Sequence, residues 1–166
     1  MRKVLIILTF ILFGGLAWLA VGLVTLNTQS LIACAGNEGG IHIPQAVCWH
    51  YLRYVRDSTD DVKVIDSELG LAFVLNGKDK LKYQIADFYL AQGADVNAIN
   101  GVEPFRMSAL QAAVLLGDVE SVDYLLQQKA DADLASSSLG LSALQIAQTQ
   151  DIPNQKRVMA LLTESE

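Results

Sequence analysis

Cysteine and histidine are scarce in this 166-residue chain, which has two of each. All four, Cys34, His42, Cys48 and His50, fall within 17 residues. Their spacing, C-x7-H-x5-C-x-H, matches none of the usual structural zinc patterns, so no metal site is expected. The leading expectation is a Cys34–Cys48 disulfide closing a 15-residue loop, with free thiols or a lipid-modified Cys34 as the alternatives. Also missing are a nucleophile motif, a phosphate-binding loop and a pair of catalytic acids. The acidic stretch Asp57, Asp60, Asp61, Asp66 and Glu68 lacks the spacing and the glycine of a calcium loop and reads as a solvated loop. No catalytic residue, cofactor or small-molecule substrate is therefore expected, and an enzyme is not the expected class.

Basic residues are absent between Lys3 and Arg53, and residues 4–26 contain no charge at all. At 1.5 Å per residue, these 23 residues span about 34 Å as a helix, enough to cross a hydrocarbon core of about 30 Å. Arg2 and Lys3 precede the run, so the positive-inside bias predicts a short cytoplasmic segment, residues 1–3, and export of everything after the span. The run is long for a cleaved signal peptide and no small-x-small site follows Leu26 closely, which favours an uncleaved anchor. Leu31-Ile32-Ala33-Cys34 looks like a bacterial lipobox, but polar Asn27-Thr28-Gln29-Ser30 separates it from the apolar run. The expected location is the bacterial inner membrane, single-pass, with the amino terminus cytoplasmic and the carboxy-terminal domain periplasmic. Beyond Leu26 lie all 18 acidic residues and 10 of the 12 basic ones, a formal charge of −8 that disfavours nucleic acid and favours a basic partner protein.

The second half repeats itself. ADFYLAQGADVNA (86–98) and VDYLLQQKADADL (122–134) each end an apolar helical run on a small/acidic signature, and SALQ recurs at 108–111 and 142–145. Ala109 to Ala143 is 34 residues and Ala94 to Ala130 is 36, a period typical of paired-helix units that stack because one alone cannot bury its apolar face. On these residues the chain resembles the ankyrin-repeat family, whose units open on T-P-L-H-x-A-A and close on L-L-x-x-G-A-D-V-N. Gly93 to Asn97 match the closing motif unaltered. Ser108 and Ser142 stand in place of Thr, Ala109 and Ala143 in place of Pro, Gln111 and Gln145 in place of His, and Lys129 in place of Gly. Without the proline and the histidine the turns are expected to be less rigid. A weaker first unit opens at Ser67 and Leu69, and a final half-unit runs from Ser142 to Leu162, its last helix following Pro153. The resemblance covers Ser67 to Leu162 and is specific from Ala86 to Ala147.

What the resemblance implies is an all-α fold: an ankyrin-repeat α-solenoid of about three degenerate units, residues 67–166, preceded by a single transmembrane helix. Residues 27–66 form an exported cap region, within which Pro44 to Arg56, with apolar Val47, Tyr51, Tyr54 and Val55, reads as an amphipathic helix covering the first repeat. Partners of such proteins lie along the fingers and first helices. Mapped here, the fingers are Ile99 to Met107 and Leu134 to Leu141, the first lengthened by about three residues relative to the family spacing. The candidate partner-binding residues are Ile99, Asn100, Glu103, Phe105, Arg106, Met107, Ser136 and Ser137, with Phe105, Arg106 and Met107 of the types favoured at interface hot spots. The expected function is a membrane-anchored, periplasm-facing protein-binding module, with immunity against a secreted effector as one concrete role. The alternatives are a scaffold subunit of an envelope complex and a lipoprotein carrying the same binding domain.

Overall fold

A computed structural model describes residues 14, 15, 17–102, 104, 106–135, 138 and 140–164. Among these the regular structure is helical, broken only by one isolated antiparallel bridge, Ile99 to Ser108. The chain forms two compact units, Met1–Arg56 and Asp57–Glu166.

In the first unit, α1 spans Ala17–Val24 and α2 spans Thr28–Ala35, with an angle of 120° between them. Asn27 makes the break: its side-chain oxygen accepts from the Ser30 amide at 2.8 Å and caps α2. Most of the predicted span, residues 4–13 and 16, lies outside the described residues. Among the described residues no single helix is long and apolar enough to cross a membrane. α3, Gln45–Tyr54, packs on α2. Cys34 and Cys48 are joined by a disulfide with their Cα atoms 5.9 Å apart. Around it Leu31, Ala35 and Leu52 are fully buried, and the Gln45 amide donates to the Ala35 carbonyl at 3.1 Å. A closed loop of this length stabilises the folded unit by about 3 kcal/mol in the chain-entropy picture. The buried face of α3 is Cys48 and Leu52, while Tyr54 and Val55, expected on the apolar face, are each 69% exposed. The disulfide fixes which face turns inward, and the i, i+4, i+7 apolar pattern alone did not.

The second unit opens with α4, Thr59–Val64, running through one π-helical stretch, Ile65–Leu69, into α5, Gly70–Leu75. The acidic stretch read as a solvated loop is thus helical, and Asp61 within it is fully buried. Three helix pairs follow in series: α5 with α6 (Leu81–Ala91), α7 (Ala109–Leu116) with α8 (Val119–Gln127), and α9 (Ala143–Thr149) with α10 (Gln155–Glu164). The first helices stack on one another, α5 on α7 and α7 on α9, and α8 packs on α10. Alanines at 109, 113, 143 and 147 are buried along the first helices, where small side chains let helix axes approach closely. Leu71, Ile85, Tyr89, Leu110, Leu125, Ile146 and Leu162 fill the core and are at most 1% exposed. Removing the side chain of Leu110 or Leu125 to Ala costs about 2 to 5 kcal/mol each.

Helix ends repeat as well as helices. α6, α7 and α8 all close with the same pair of bonds, from Gly93 to Leu90 and Ala94 to Tyr89, from Gly117 to Val114 and Asp118 to Ala113, and from Lys129 to Leu126 and Ala130 to Leu125. The turning residues, Gly93, Gly117 and Lys129, have φ of 98°, 62° and 65°. That is the left-handed closure that satisfies the last helical carbonyls. At Gly117 a Cβ would run into the backbone carbonyl of Pro153, so only glycine fits between α7 and the start of α10.

Candidate functional site

The fingers are built from the helix starts. Ser108 caps α7 by accepting from the Gln111 amide at 3.3 Å, while the Gln111 side-chain oxygen accepts from the Ser108 amide at 2.8 Å. Ser142 and Gln145 make the same reciprocal capping box on α9, at 3.3 and 2.9 Å. Gln111 does more. Fully buried, its Nε2 donates to the carbonyls of Leu134 and Leu141 at 2.7 and 2.9 Å, pinching together the two ends of the second finger. The turns expected to loosen without histidine are therefore tied across units by glutamine.

A second line of bonds links one turn to the next. The Asp95 amide donates to the Asp66 carboxylate at 2.9 Å, and the Asp131 amide donates to the Asn97 side chain at 2.8 Å. Within each turn, Asp95 accepts from the Asn97 amide and Asp131 from the Asp133 amide, at 2.8 and 2.9 Å. The aspartates thus hold turns, as their positions in the sequence suggest.

The first finger is closed at its root by the Ile99–Ser108 bridge and by Asn100, whose amide donates to the Met107 carbonyl at 3.1 Å. Gly101 donates to the Glu68 carbonyl at 2.8 Å, and a Cβ on it would lie 3.0 Å from the Ser67 carbonyl, so the backbones press together there. Ser67 itself does not cap α5; its hydroxyl donates back to the Lys63 carbonyl at 2.7 Å. Gly70 stands where the later units place the glutamine, and the first unit has neither a capping box nor a glutamine clamp.

Of the residues proposed for partner binding, Ile99 is half-buried in the bridge and Arg106 is exposed, its carbonyl accepting from the Ser138 hydroxyl at 2.8 Å. Asn100 and Met107 are buried, at 9% and 7% exposure. Their expected projection fails because both sit at the finger root, where the chain turns back onto α5 and α7. Glu103, Phe105, Ser136 and Ser137 lie outside the described residues. Val102, 56% exposed, joins Arg106 on the surface of the first finger.

Sequence reasoning missed the Lys82–Asp118 pair, which bridges α6 to the start of α8 at 3.1 Å, with Lys82 largely buried. Asp118 also accepts from the Ser121 amide and hydroxyl at 3.1 and 2.7 Å, capping α8. Burial pushes the Asp118 carboxyl up, but the Ser121 bonds and Lys82 together hold it below its ordinary value. A shallow groove beside this pair, between α5 and α7, is lined mainly by Ala72, Leu75, Ala109, Ala112 and Leu116. Its chemistry suits a small apolar side chain.

Cys34 and Cys48 are bonded to each other, which removes the two thiolates that a zinc reading needs. His50 is engaged through Nδ1 with the Ala46 carbonyl at 2.9 Å. Among the described residues no group of three or more His, Cys, Asp or Glu gathers in a way that could hold a metal ion. No family model matches this chain, nor does any curated protein or any solved structure.

Proposed function

We propose that this chain is a membrane-anchored protein-binding module whose three helix pairs form a short, degenerate ankyrin-like solenoid. The observation that carries this reading is the recurrence of the same bonds from unit to unit: the capping boxes 34 residues apart, the Gln111 clamp on the next finger, and the turn-to-turn bonds from Asp95 and Asp131. Fingers 99–107 and 134–141, with the exposed sides of the first helices, make the binding surface. The second unit carries seventeen acidic residues against eight basic ones, so a basic partner protein is the complementary one.

Residues 4–26 hold the module to the bacterial inner membrane with its amino terminus in the cytoplasm and the remainder facing the periplasm. The disulfide supports an oxidising compartment. It also weighs against the lipoprotein alternative, since a sulfur bonded to Cys48 cannot carry a lipid thioether. Within the binding class, an inhibitor that neutralises a secreted effector at the periplasmic face fits an anchored, acidic, disulfide-closed module of this size.

The test is a double variant, Phe105→Ala with Arg106→Ala, in the full-length chain. Capture of the native partner from envelope extracts should fall at least tenfold while the melting temperature stays within about 1 °C of wild type, because an exposed finger tip contributes little to folding. Undiminished capture, or a melt far below wild type, would remove the first finger from the interface.

A further inference from the structure

We infer that the disulfide-closed loop and α3 form a collar seated in the phospholipid headgroup layer, with Trp49, Arg53 and Tyr54 as its lipid contacts. This rests on the reading of residues 4–26 as a membrane anchor.

The collar is fixed to the end of the apolar run. A Cβ on Gly22 would lie only 3.8 Å from the Ile43 side chain. Leu23 is 6% exposed, and the Arg56 guanidinium donates to the Leu26 carbonyl at 3.0 Å. Whatever depth Gly22 to Leu26 take in a bilayer, Ile43 and Arg56 share it. These positions are about 6 Å apart along a helix axis, comparable with the 5 to 10 Å depth of the headgroup and acyl boundary. The collar covers part of α1 only, for Trp18, Val21 and Val24 remain 80%, 63% and 64% exposed, an apolar strip that suits lipid.

The outward side of α3 has the chemistry of that boundary. The Arg53 guanidinium lies 5.7 Å from the Trp49 ring and 5.4 Å from the Tyr54 ring, a cation held between two amphipathic aromatics. No carboxylate occurs in α3, and Glu38 is the single acidic residue between Lys3 and Asp57. Phosphate oxygens of lipid headgroups match the planar guanidinium fork, and Trp and Tyr favour the membrane interface because one end of each is apolar and the other polar. Charge is segregated to suit: residues 1–56 have four basic and one acidic, whereas the acidic residues 57–166 would be repelled by anionic headgroups.

The full chain carrying Trp18→Phe, with Trp49 as its sole tryptophan, is reconstituted into phosphatidylcholine/phosphatidylglycerol vesicles and floated on a density gradient. Emission is then read with lipids brominated either near the headgroup or deep in the acyl chain. Trp49 should be quenched at least twice as strongly by the shallow bromines, and Arg53→Glu should halve that quenching without changing flotation. Floated protein whose Trp49 ignores both bromolipids and is quenched freely by iodide would overturn the collar alone. Stronger quenching by the deep bromines, or no effect of Arg53→Glu, would likewise remove the headgroup contact. Failure to float would overturn the anchor itself, and the collar with it.

Discussion

Lys129 ends α8 in the left-handed conformation that Gly93 takes at the end of α6, with φ of 65° against 98°. A side chain there costs about 1 to 2 kcal/mol, against which glycine loses up to about 1 kcal/mol of unfolded-state entropy. Lys129→Gly should therefore raise stability by about 0.5 to 1 kcal/mol in a denaturant titration; a loss would mean that the lysine side chain makes a compensating contact. The two capping glutamines offer a sharper contrast. Gln111→Ala strips two buried carbonyls of their donor and should cost about 2 to 4 kcal/mol, whereas Gln145, exposed and making only the capping box, should cost about 1. Equal costs would show that the cross-unit clamp adds nothing. Asp118 sets an acid dependence: its carboxyl is held below its ordinary value, so its stabilisation is present above about pH 4 and fades as pH falls through the depressed value. The group is partly exposed and the effect correspondingly modest, about 1 kcal/mol with the helix cap included. Thermal melts of Asp118→Asn between pH 2.5 and 6 should show a flatter acid limb than wild type.

At the level of elements, Gly117 is the position where α7, α8 and α10 are locked together. Its left-handed φ and the Pro153 carbonyl against its missing side chain make Gly117→Ala cost more than about 2 kcal/mol, readable as a lowered melting temperature. A variant that melts like wild type would show that the start of α10 can move aside freely. The S-x-x-Q signature at 108–111 and 142–145 marked two helix starts in the sequence, and both are capping boxes in the structure, because a local motif carries its own partners. The clamp from Gln111 to Leu134 and Leu141 was not legible, since it joins residues 23 and 30 positions apart across a finger whose path no local pattern fixes. Ser67 shows the converse. Placed at a helix start by alignment with later units, it instead bonds back to Lys63, because the chain between α4 and α5 runs through a π-helical stretch that no spacing announces. Asn100 and Met107 were misplaced as projecting for the same reason, the finger root being shaped by backbone pairing with Glu68 and Ser108.

At the scale of the whole molecule, charge and aromatic content divide along the boundary between the two units. The first 56 residues contain both tryptophans and four basic residues to one acidic, and the remainder is strongly acidic. That division follows from composition alone and is what assigns a membrane to one end and a basic partner to the other. The central claim is that the fingers meet the partner. A photo-crosslinking amino acid placed at Val102 on the first finger, and in a parallel strain at Gln127 on the exposed surface of α8, tests it in the native envelope. The prediction is one dominant adduct from position 102, lost in the Phe105→Ala, Arg106→Ala background, and little or none from position 127. A dominant adduct from 127 with none from 102 would contradict it and move the binding surface to the outer helices.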